Sequence, residues 1–265
     1  MRRLFSIVVA IISLVLSGCD ENIIITDPGA PTTSEFEIGG NYTALDISNS
    51  FDVYVDKAAA GITITAGENV MPYVIVEENN GKLKICLKPF TTIRSGELKA
   101  VVPYSKKLKD VSLSGASSFH CEIPLVDESI SVEASGASKF LADVDARFAE
   151  LELSGASSFK GNVLASELEM SLSGASKADI IGVTEILDLE LSGASKIFDN
   201  VLAGRYCLAC RHCKGSISGA SSAYIHCEEA INVSVSGASK LYYTGDASTA
   251  DSSTSSASSI THEVF

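Results

Sequence analysis

Four cysteines and two histidines gather in one short stretch of the chain: Cys207, Cys210, Cys213 and His212, then His226 and Cys227. Cys-x2-Cys-x2-Cys is a spacing at which soft ligands can hold zinc. In an extracytoplasmic compartment cysteines more often stay buried or pair, so buried thiols come first, a disulfide second and a metal site last. The period-2 parity of the stretch points Cys213 and Cys227 inward. Cys121, two residues after Phe119, reads as a core thiol. A second chemistry-bearing set is charged. Asp110, Glu133, Glu150, Glu152, Glu169, Asp188 and Glu190 recur along the chain, and so do Lys139, Lys177, Lys196 and Lys240. Carboxylates in columns serve polysaccharide lyases and hydrolases, in some cases with Ca²⁺. They equally serve a solvated sheet face that must not aggregate. No Arg joins these columns, and no His stands close enough in the pattern to complete an acid–base pair. The serines belong to a repeat, so a Ser-His-Asp triad has no support. The expectation is no catalytic residue, no metal site and no cofactor.

Cys19 is different in kind. Arg2 and Arg3 precede a short apolar run, Leu4–Leu16, which is too short for a stable membrane span. Leu16-Ser17-Gly18-Cys19 follows and looks like the lipobox of bacterial lipoproteins, whose cysteine is lipidated and becomes the new N-terminus. Asp20 and Glu21 come next. Acidic residues there resemble the surface-export signal of Bacteroidetes-type lipoproteins, whereas in enteric bacteria an aspartate there favours inner-membrane retention. Residues 1–18 therefore read as a lipoprotein signal peptide, and loss of its two arginines takes the formal charge from −13 to −15. That acidity argues against nucleic acid and against adsorption to anionic headgroups.

The elements that must position these residues are set by a repeat. Ser-Gly-Ala-Ser occurs seven times, with glycines Gly115, Gly136, Gly155, Gly174, Gly193, Gly219 and Gly237, at intervals of 21, 19, 19, 19, 26 and 18 residues. Each repeat is one rung that buries a core only by stacking on its neighbours. Counting back from a glycine by twos gives Leu172, Met170 and Leu168, or Val235, Val233 and Ile231. Counting forward gives Ser157 and Phe159. Val144, Val163 and Val201 stand eight residues after their glycines. Period 2 is strand periodicity. About 19 residues at about 3.3 Å each make a perimeter of about 60 Å, which suits one coil of a β-helix. The glycine answers either a close inward approach or a tight bend at φ > 0. The inward serine is expected to hydrogen-bond along its own ladder.

Boundaries follow. Residues 19–34, with Pro28, Gly29 and Pro31, read as a tether. Residues 35–246 read as the domain, with irregular N-terminal coils and a cap over 35–110 and the Ser-Gly-Ala-Ser coils over 111–246. In the first part, Asn79-Asn80-Gly81 is a turn signal before Leu83–Leu87. Residues 247–265 read as a Ser/Thr-rich C-terminal segment, disordered or irregular over 247–259, with Ile260–Phe265 apolar enough to dock on the last coil. The fold expectation is all-β: a single-stranded parallel β-helix of about 19 residues per coil.

Tyr42, Leu45-Asp46-Ile47 and Phe51-Asp52-Val53, the glycine-centred rungs, and Leu241-Tyr242-Tyr243-Thr244-Gly245 together resemble the auto-transporter adhesin head, or GIN, domain family of bacterial envelope proteins. That family is of unknown function, and the resemblance spans about residues 35–245. It implies a β-helix-like fold in envelope proteins that are frequently lipoproteins, and it has no catalytic residues to carry over. The rung at 196–216 departs from the pattern.

The functional expectation is a non-enzymatic, lipid-anchored outer-membrane protein of the cell surface, acting as a binding, adhesin-like or scaffolding module toward a glycan or protein. An enzyme acting on polysaccharides through its acidic face is the alternative. A partner surface is offered by Glu150, Glu169 and Asp188 on one side and Lys139, Lys177 and Lys196 on the other. Between them lies an outward column of Ala116, Ala137, Ala156, Ala175 and Ala194. Two protomers meeting across it form a weak, salt-sensitive dimer; the rival is a monomer with a solvated face.

Overall fold

The computed structural model describes residues 22–198, 208–255 and 257–263. Over these the chain is all-β, with no α-helix and one 3-10 turn at Met71–Tyr73. The long strands are Leu125–Ala134, Val144–Leu153, Ser158–Leu172, Lys177–Leu191, Leu208–Ile217 and Ser222–Val235. Each pairs in parallel with the next. Their register follows the sequence period: Val144 pairs with Leu125, Val163 with Val144, and Gly182 with Val163. Like residues therefore stand over like. Ala134, Leu153, Leu172, Leu191, Ile217 and Val235 form one buried column. Phe119, Phe140 and Phe159 stack with ring centroids 5.2 and 5.1 Å apart. Each large side chain so buried contributes about 1.5–3 kcal/mol.

The Ser-Gly-Ala-Ser phrase is a turn. All seven glycines have φ between +64° and +76° and are exposed. This corrects the inward-approach reading: the bend decides. The turns still stack, because Ala175 N donates to Gly155 O and Ala194 N to Gly174 O, both at 2.7 Å. A Cβ on Gly174 would fall 2.5 Å from Gly155 O. The second serine does point inward, and Ser138, Ser157 and Ser176 are 0% exposed. The hydroxyls of Ser117, Ser138, Ser157, Ser176 and Ser195 do not bond along a ladder, however. Ser138 Oγ donates to Ser135 O at 2.7 Å and Ser157 Oγ to Ser154 O at 2.8 Å. A carbonyl three residues back in the same turn lies within reach, so the bond closes locally.

Two ends depart from expectation. The segment 22–34 is no tether: Ile23–Ile25 pairs with Thr91–Ile93, and Pro31–Phe36 pairs antiparallel with Ile62–Gly67. Ile25 is buried and Phe36 packs on the core, which apolar side chains in a free tether could not do. Ser253–Thr254 and Ser259 are not irregular either, and Ile260 docks on the preceding rung. Ser253–Thr254 pairs with Ser234–Val235, and Ser259–His262 with Lys240–Tyr243, so Ile260 stacks on Leu241. Ser258 Oγ donates to Ser255 O at 2.6 Å, as in the repeats.

The sheet is also mixed rather than parallel throughout. Ile62–Gly67 is antiparallel to Lys99–Pro103, and Val74–Asn79 to Lys82–Leu87 through the Asn80-Gly81 turn, where φ is +53° and +80°. These hairpin-like pairings cover the first edge of the stack, which would otherwise template other chains. One unrecognised rung lies beneath the first repeat. Ala44–Ile47 and Asp52–Asp56 pair with Asp110–Leu113 and Ser118–His120. Asn49, at φ +65°, takes the glycine's place there.

Candidate functional site

The outward residues just before each turn line an open groove of about 460 Å³ along the stack. One wall is a single register column: Ser112, Glu133, Glu152, Ser171, Glu190 and Ser216. The other is the first serine of each turn, including Ser135, Ser154, Ser173 and Ser192. Alternation turns both outward while Leu153, Leu172 and Leu191 between them face the core. Rungs about 4.8 Å apart repeat this set of acceptors and hydroxyls up the groove. Ser112 Oγ donates to Glu133 Oε2 at 3.2 Å. Among the described residues no salt bridge reaches Glu133, Glu152 or Glu190. Glu133, Glu152 and Glu190 stood out in the sequence as charges; Ser112, Ser171 and Ser216 did not, because only the register shows that they share the carboxylates' column.

The charge columns are real as columns. Glu150, Glu169 and Asp188 stack in register, but Lys214 comes next and its Nζ lies 3.0 Å from Asp188 Oδ2. That hydrogen bond and charge hold the Lys214 ammonium above its ordinary value. The basic column runs Lys139, Ser158, Lys177, Lys196, Ser222 and Lys240. The alanines of the turns, Ala137, Ala156 and Ala175 among them, are exposed.

Cys210, Cys213 and Cys227 are buried. Cys210 pairs in register with Cys227. The Cys210 thiol and burial push Cys227 well above the ordinary thiol value, which keeps it protonated. Among the described residues no group of His, Cys, Asp and Glu is arranged to hold a metal. Cys207, Val201 and Cys19 lie outside the described residues. In the register expected for Val201 stands Leu208, opposite Gly182, because the 26-residue interval places the extra residues between Phe198 and Leu208.

The sequence did not suggest one further cluster. Ser118 Oγ bonds to Asp52 Oδ1, and His120 Nε2 lies 3.1 Å from the same Oγ. His120 stacks on Tyr54 with centroids 4.6 Å apart. The residue types are those of a hydrolase triad, but the carboxylate meets the serine and not the histidine. It therefore cannot orient the imidazole or stabilise an imidazolium in that role. Burial lowers the His120 value, Asp52 partly opposes this, and Lys139 adds to it.

No helix among the described residues is long and apolar enough to cross a membrane. No curated protein matches the chain in sequence. Solved structures do match its fold. A crystal structure of a putative adhesin from Parabacteroides distasonis superposes with a TM-score of 0.76 at 18% identity, over 91% of this chain and 100% of that one. A putative lipid binding protein from the same species gives 0.72 at 20%, and a putative adhesin from Parabacteroides merdae gives 0.69 at 18%, each with the same coverage. At these identities the likeness concerns the fold. The family model described as "Putative auto-transporter adhesin, head GIN domain" matches residues 41–247, most of the length, and the chain belongs to that family.

Proposed function

We propose that the protein is a lipid-anchored, non-enzymatic binding module of the cell surface, adhesin-like, whose parallel stack is one β-helix carrying the groove as its ligand site. The observation that carries this reading is the groove: carboxylates and hydroxyls repeated rung by rung, open to solvent along the stack. The ligand it fits is an extended, hydroxyl-rich glycan chain. Sugar hydroxyls donate to Glu133, Glu152 and Glu190 in charge-assisted bonds and exchange bonds with the serines between. Each exposed bond is weak, so avidity comes from engaging several rungs at once. The family's adhesin label and the adhesin descriptions of two structural neighbours agree with this. Anchoring rests on Leu16-Ser17-Gly18-Cys19 after a short apolar run.

A glycan array with the mature chain tests the reading. The expected result is binding to a restricted set of linear glycans, lost in the Glu133→Gln, Glu152→Gln, Glu190→Gln triple variant with melting unchanged. Equal binding by both proteins would remove the groove. The enzyme alternative predicts reducing ends released from the bound glycan. Against it, Glu133 and Glu152 share one open groove, and nothing divides their surroundings into an acid's and a base's.

A further inference from the structure

Among the described residues, exposed large apolar side chains gather in two places: Leu164 and Val183, paired in register on the stack, and Ile24, 55% exposed, with Phe90, 56% exposed, at the N-terminal sheet. Ile23 N donates to Phe90 O at 2.9 Å, and Ile24 pairs with Thr92 in a two-stranded sheet separate from the main one. Exposed Lys88 precedes Phe90 and exposed Arg94 follows Thr92. Phe90 is also held at φ +61°. A bulky residue in the left-handed region is an outlier that costs stability, and glycine would serve that turn better. An exposed phenyl ring kept at such a position does nothing for the core, which points to a role at the surface.

Chain length says which surface. Only Asp20, Glu21 and Asn22 stand between Cys19 and Ile23, the first residue of the sheet. Fully extended, that link reaches about 14 Å. We propose that the Ile24–Phe90 face, with Lys88 and Arg94 at its rim, lies in the headgroup layer of the phospholipid bilayer that holds lipidated Cys19. The inference rests on the anchoring part of the proposed function. A formal charge of −15 once the signal peptide and its two arginines are lost (−13 minus 2) keeps the rest of the molecule off a phosphate surface. An apolar tip rimmed by cations suits the same surface, with the ring at the acyl boundary and the cations at the phosphates. The cap would then lie at the membrane, and the groove would run away from it.

The chain has no tryptophan, so Phe90→Trp places a single depth reporter. The full-length protein is expressed in a lipoprotein-processing host with a fatty-acid label and reconstituted into phosphatidylcholine vesicles with or without brominated acyl chains. Val183→Trp, on an exposed site elsewhere on the stack, is the control. The expected result is a blue-shifted indole emission from the Phe90→Trp protein, quenched about twofold or more by bromine, with the Val183→Trp control unquenched. Ile24→Trp gives the same reading if the turn rejects the indole. Labelled, vesicle-bound protein with neither reporter quenched overturns the inference and leaves the anchor standing. So does a blue shift without bromine quenching, which would mean that a second copy covers the face, or equal quenching in the control. Absence of the label overturns the anchor, and the inference with it.

Discussion

Gly174 shows how a single residue sets the rung. Its φ is +71°, and an added Cβ would meet the Gly155 carbonyl at 2.5 Å. The left-handed penalty of about 1–2 kcal/mol and the clash act together. Gly174→Ala is expected to lower unfolding free energy by about 2 kcal/mol or more, measured by urea denaturation with an unchanged m-value. Wild-type stability would remove the turn-stacking account. His120 gives a pH test. Burial lowers its folded value, so the unfolded chain binds the proton more readily, and stability falls as pH drops through the ordinary histidine range near 6.5. Part of the loss in melting temperature between pH 7 and pH 5 should vanish in His120→Gln. Identical pH profiles for the two proteins would show that His120 is not linked to folding.

At the scale of an element, the last rung carries the clearest consequence. Ser259–His262 covers Lys240–Tyr243 and places Ile260 on Leu241. Tyr243 and His262 stack with centroids 4.8 Å apart. Removing residues 247–265 would uncover one apolar column and leave a bare parallel edge. The lost burial is about 2 kcal/mol, hence a fall of about 4–8 °C in melting temperature. A truncated chain melting like the full one would show that the rung is ornamental. The opposite end is protected by antiparallel strands instead, where the Asn80-Gly81 hairpin fixes register.

For the whole molecule, the question is what holds it and what it meets. Cys19→Ala is expected to move the protein from the membrane fraction to the soluble one and abolish fatty-acid labelling; unchanged partitioning would refute the lipobox. Pairing of protomers across the alanine column is the weaker reading, since Asp188 already has Lys214 as its partner and serines interrupt the lysines. Sedimentation at low and high salt should give one monomeric species in both. A dimer that dissociates as salt rises would restore the facing-column arrangement.

The sequence by itself determined the all-β class, the rung length, the family resemblance and, among the described residues, the inward positions such as Leu168, Met170 and Leu172. A period of about 19 with alternation constrains the class, the rung length and the faces, because parallel pairing in register repeats whatever one rung does; the resemblance rests instead on particular residues, from Tyr42 to Leu241-Tyr242-Tyr243-Thr244-Gly245. It also marked the outward charges. What each glycine does was decided only by tertiary structure, because a tight bend and a close approach ask for the same residue. The same holds for the strands Ile23–Ile25, Pro31–Phe36 and Ser253–Thr254. Pro, Gly and Ser there signal irregular chain, and only the neighbouring rung's unpaired backbone recruits them into a sheet. Ser112, Ser171 and Ser216 join Glu133, Glu152 and Glu190 in one groove for the same reason. Alternation along a strand gives a side chain its face, but only pairing between rungs gives it its neighbours.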